Sequence, residues 1–166
     1  MPVHDEDVHE YKQEHLRLEQ PALHLVSIML ADKELNRAYR SGKLDHLATY
    51  AEEHKKSEVI RLTIEIATTY RLIFWNARTK PTTETVGRLC TDEATKIWVD
   101  LTMLEACNKV IHAELFAFES RRFPRTYSSF FKPTLHLAGT KGRKQWLAVV
   151  NVLPFANAAL APVAYL

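Results

Sequence analysis

The chain has 166 residues, of which 46% are hydrophobic and 25% charged, with 4 Gly, 7 Pro and 2 Cys. These values predict a single globular domain over 1–166, and they exclude disordered, collagenous and disulfide-stapled classes. The formal net charge of +2 hides an asymmetry: all 20 acidic residues lie at or before Glu119, whereas the stretch after it holds seven basic residues.

The elements follow in chain order. The N-terminal stretch MPVHDEDVHEYKQEH is acidic where a signal peptide would be basic and then apolar, so a cytoplasmic protein is expected. An amphipathic helix is predicted near Val8–Glu19, ending at Gln20-Pro21, with Pro21 in the first turn of a second helix. Leu25, Val26, Met29, Leu30 and Ala38 give that second helix its rhythm, and Ser41-Gly42 stops it. A short helix over Leu44 to about His54 leads to the clearest stripe, Val59, Leu62, Thr63, Ile66, Tyr70, Ile73 and Phe74. Residues 77–90, rich in Thr with Pro81 and Gly87, read as a connection. Thr91 or Asp92 then caps a last long helix that carries Ala94, Ile97, Trp98, Leu101, Leu104, Ile111 and Leu115 and ends near Ser120.

Beyond it the period changes. Leu135 and Leu137 alternate with other residues, Gly139 to Gly142 has the composition of a turn, and Trp146, Ala148, Val150 and Val152 alternate again. The expected fold is therefore mainly α, a four- or five-helix bundle over about 8–120 with a C-terminal β-hairpin and tail over about 126–166 packed on it. The run from Trp146 to Leu166 is interrupted by Asn151, Pro154, Asn157 and Pro162 and makes a poor membrane span. Cys90 and Cys107 lack zinc or CxxC spacing, and Glu6-x-x-His9 has no second copy to complete a di-metal site, so neither metal nor cofactor is expected.

Two features point toward chemistry. Arg121, Arg122, Arg125, Arg143 and Lys144 are interleaved with Phe123, Tyr127, Phe130, Phe131 and Trp146, the mixture that a single-stranded nucleic acid platform uses for phosphate contact and base stacking. The same charges also suit a protein-interaction domain that docks an acidic partner. The second feature is Asn108-x-x-x-His112 on the last predicted helix, with Glu105 on the same side. Polar side chains in an apolar stripe need partners, so they form either a satisfied internal network or a site.

This stretch resembles the HEPN superfamily, whose marker is Arg, a polar residue, three residues and His. The resemblance implies an all-helical homodimer with a composite, metal-independent RNase site of a defence or toxin–antitoxin type. In that setting His112 would be the general acid or base, with Asn108 and Glu105 lining the interface and RNA, a nucleotide or another polyanion as the partner. Cys107 stands where the family has Arg, so the fixed positive charge that would stabilise a phosphorane is missing, and the resemblance then implies a degenerate, non-catalytic or weakly active member that still dimerises or binds nucleotide or RNA.

Overall fold

The computed structural model describes residues 5–42, 45–77, 82–122 and 129–161. Two long helices come first, α1 (Asp5–Arg40) and α2 (Asp45–Ala77), followed by strands β1 (Thr85–Cys90) and β2 (Trp98–Thr102). A short helix α3 (Met103–Ile111) precedes β3 (Leu115–Arg122), β4 (Ser129–Lys141) and β5 (Lys144–Asn151), and α4 (Val152–Leu160) ends the described chain. All pairings are antiparallel and the strand order is β2-β1-β5-β4-β3.

The mainly α bundle expected from sequence is thus corrected: a five-stranded sheet is a major component of the fold, and the C-terminal hairpin supplies only two of its strands. The error lies in the connection predicted over 77–90, whose end is β1, and in the long helix predicted over 92–120. Leu101 and Leu115 match a helical period, but Trp98-Val99-Asp100-Leu101-Thr102 and Leu115-Phe116-Ala117-Phe118 carry the aromatic and β-branched residues that suit a pleated surface. Only Met103–Ile111 between them is helical.

The predicted break at Pro21 is also absent, because α1 runs through it. Proline removes one helical hydrogen bond, to the carbonyl of Arg17 four residues earlier. Arg17 is exposed, so water can satisfy that carbonyl, while Pro21 itself is buried. The two helices expected over 44–74 likewise form the single α2. Its stripe is the interior face: Val59, Leu62, Thr63, Ile66, Tyr70 and Ile73 are each at most 2% exposed. They meet Leu18, Ala22, Leu25 and Met29 of α1. The turn at Ser41-Gly42 is present, with Gly42 at φ 72° and its N–H donating to the Tyr39 carbonyl at 3.1 Å.

The hairpin lies where the alternation predicts it, its two-residue turn formed by Gly142-Arg143. Gly142 takes φ +65°, the left-handed value that a tight hairpin turn asks of its first central residue.

One side of the sheet faces all four helices. Residues paired across strands point to the same face, so Leu89, Leu101, Leu135, Leu137, Trp146, Ala148 and Val150 form one surface. It is buried together with residues of α1, α2, α3 and α4. A buried ion pair ties the layers together: Asp32 of α1, fully buried, bonds Lys55 of α2 and accepts the Phe131 N–H of β4 at 2.6 Å.

Candidate functional site

The predicted catalytic trio falls on α3. At 100° per residue, Glu105, Asn108 and His112 cluster on one side of this helix. They lie opposite its buried residues Met103, Ala106, Cys107 and Val110. The expectation that they lie in an apolar stripe does not hold here, because Leu101 and Leu115, which defined that stripe, belong to strands. Asn108 Nδ2 stands 3.5 Å from Glu105 Oε2, at the outer limit of a hydrogen bond. Glu105 also pairs with Lys109 at 3.4 Å. His112 caps the helix C-terminus with an exposed side chain, and its backbone N–H donates to the Asn108 carbonyl at 3.1 Å.

The trio therefore sits together on the face of α3 turned away from its buried residues. Cys107, at the position of the family's Arg, points inward, and burial pushes its thiol up to about 12. A thiol held protonated at neutral pH is not a nucleophile.

The predicted basic surface is divided. Arg121 is opposite Phe130 at one end of β4, whereas Arg143 and Lys144 stand at the other end. The rise of about 3.3 Å per strand residue separates the two groups by roughly 30 Å. Arg125 lies outside the described residues, and Arg122 closes β3. Lys144 is engaged with Asp92 at 3.0 Å, and that hydrogen bond holds the Asp92 carboxyl below its usual range. Two of the aromatics assigned to stacking are interior: Phe131 is 7% exposed and Trp146 2%. Phe123 and Tyr127 lie outside the described residues.

Trp146 is seated by its neighbours. A Cβ on Gly139 would come within 2.4 Å of its ring, so only glycine fits there. Lys109 Nζ lies 4.6 Å from the ring centroid and closes one side.

The sheet face turned away from the helices is the surface that remains, and sequence reasoning did not single it out. Leu147 and Val149 of β5, with Ala138 and His136 of β4, form its half-buried centre. Leu115, 58% exposed, and Ala117 continue it onto β3. A shallow groove of about 140 Å³ opens at one corner, lined by Leu115, Ala138, Leu147, Glu93 and Glu114.

Some of the charges around this centre engage one another. Lys132 bonds Glu119 and holds its carboxyl below the ordinary range, while Thr134 Oγ1 donates to the same carboxylate at 3.4 Å. His136 Nε2 stands 3.7 Å from Glu119. Arg88 lies over the Trp98 ring at 5.9 Å. Cys90 is the one buried residue of this side, covered near the loop where its thiol meets the Asp92 carbonyl at 3.2 Å.

Among the described residues, no group of three or more His, Cys, Asp or Glu side chains could hold a metal ion, and no helix is long and apolar enough to cross a membrane. No family model, curated protein or solved structure matches this chain.

Proposed function

We propose that this chain is a non-enzymatic protein-interaction domain whose docking surface is the helix-free face of the sheet. The observation that carries this reading is the composition of that face. Its centre is apolar, built by Leu115, Ala117, Ala138, Leu147 and Val149, and its rim is polar. An apolar core with a polar rim is the anatomy of a protein–protein contact. A platform for single-stranded nucleic acid asks instead for open rings beside a continuous basic track. Here Phe131 and Trp146 are interior, and the cations are split between the two ends of β4.

The partner's chemistry follows from the rim. Among the described residues Arg88, Arg121 and Arg143 make no ion pair, and all three are exposed. Exposed Glu93, Asp100 and Glu114 share this rim, so the complementary surface is an apolar patch whose fringe carries charges of both signs, which orient the partner and select against like charge.

The test is site-specific photo-crosslinking. A benzophenone amino acid replacing Leu147 is expected to give protein adducts in cells that express the chain, and one replacing exposed Thr68 of α2 is not. Adducts to RNA from position 147, or equal protein adducts from both positions, would overturn the proposal.

A further inference from the structure

We propose that two copies of this chain pair antiparallel through the edge of β3, which no strand among the described residues occupies, joining their sheets into one ten-stranded sheet with a two-fold axis at Phe118. A strand at a sheet edge presents unpaired backbone groups, and proteins usually guard such edges with charges, bulges or shortness. The other edge, β2, is guarded in this way: it has five residues, follows Lys96 in a left-handed conformation and carries Asp100 at its middle.

The β3 edge is different. It has eight residues, and its first half, Leu115-Phe116-Ala117-Phe118, contains no charge and no proline. The irregularity in its pairing with β4 sets Phe118 opposite Leu135 and Ser120 opposite Phe131, so the two extra residues belong to β4. The β3 backbone is thus left regular and able to accept another strand.

The sequence of this edge is complementary to itself when reversed. With Phe118 opposite its own copy, Leu115 is set against Arg121 and Phe116 against Ser120. The apolar half of each strand then meets the charged half of the other, and the aliphatic stem of Arg121 can cover exposed Leu115. Ala117 lies opposite Glu119, whose charge is already engaged by Lys132.

Other arrangements lose this match. Parallel pairing in register would set Arg121 against Arg121. A shift of the antiparallel register that brings Glu119 opposite its own copy would place like charges face to face, which is destabilising. At the proposed register Phe118, half-buried against Phe131 with ring centroids 5.1 Å apart, also gains an aromatic neighbour across the axis.

Sedimentation velocity of the full chain over a concentration series tests the proposal. The expected result is a monomer–dimer equilibrium whose dissociation constant rises at least about tenfold in the double variant Leu115→Lys, Ala117→Lys, because lysines on an edge block strand addition. Both positions are exposed, so circular dichroism and the melting temperature should stay close to those of the parent. Val149→Lys, on the open face, should leave the dimer intact and thereby separates edge pairing from the docking face. Register is read by mixing two single variants, Ala117→Cys and Glu119→Cys, which should give an interchain disulfide in higher yield than either alone. A parent chain that is monomeric at every concentration would overturn the proposal. So would a dimer unmoved by the edge lysines, or one lost only in Val149→Lys.

Discussion

Replacing Asp32 by alanine should cost about 3 to 4 kcal/mol of stability, within the usual range for breaking a buried ion pair from one side. The carboxylate is fully buried and does three things at once: it bonds Lys55, accepts the Phe131 N–H at 2.6 Å and accepts Asn36 Nδ2 at 3.0 Å. Alanine orphans the buried Phe131 N–H, worth about 1 to 3 kcal/mol, and leaves Lys55 without its counter-charge.

These costs do not simply add. The Lys55 side chain keeps 12% exposure and lies 4.5 Å from the Phe131 ring centroid, so its ammonium retains some water and some favourable contact. Asp32→Asn preserves an acceptor and should cost less, about 2 kcal/mol. Lys55→Met leaves the carboxylate still bonded by Phe131 and Asn36, and the double variant Asp32→Ala, Lys55→Met should cost less than the sum of the singles. Urea unfolding with unchanged slope measures all four. A cost below about 1 kcal/mol for Asp32→Ala, or strict additivity in the cycle, would refute the assignment of this pair as the tie between α1, α2 and β4.

Other substitutions separate steric from conformational effects. A Cβ on Gly87 would lie 2.0 Å from the Val149 carbonyl oxygen, so Gly87→Ala should cost about 3 kcal/mol or unfold the β1–β5 pairing, seen as a lowered melting temperature. Gly142→Ala meets nothing within 4 Å and should cost only about 1 kcal/mol, because its φ of +65° is the sole obstacle.

Cys107 should resist an aromatic disulfide reagent in the native protein and react at once in denaturant. Because its folded pKa is raised to about 12, from about 8.5 in the unfolded chain, the unfolded state loses this proton first as pH rises. Stability is therefore indifferent to this group below that value and falls above it. Cys107→Ala should flatten that alkaline decline in pH-dependent melts.

How far the sequence discloses the structure depends on whether one period or two can explain a segment. The α2 stripe from Val59 to Ile73 admits only a helix, and those residues are the core. The alternation from Leu135 to Val150 admits only strands, but the turn falls on Gly142-Arg143, because Gly139, Thr140 and Lys141 of the expected turn are paired residues of β4. Between Asp92 and Ser120 both periods fit. Ile97 and Leu115 count toward a helical stripe yet are 65% and 58% exposed, so the deciding term is sheet pairing with distant strands, which local periodicity does not contain.

The candidate surface was hidden for the same reason. Leu147, Val149 and Ala138 read as ordinary strand residues until strand order shows which face the helices occupy. Asn108, His112 and Glu105 were legible as neighbours on a helix. Which way they face depended on where that helix starts, and short helices between strands are poorly marked at their ends.

The most direct test of a non-enzymatic domain is incubation of end-labelled RNA with the purified chain in EDTA, beside a His112→Ala variant of matched folding. Intact RNA is expected in both, because His112 stands exposed at the end of α3 and Cys107 supplies no positive charge. Cleavage by the parent that disappears in His112→Ala would contradict it and move the function from the sheet to α3.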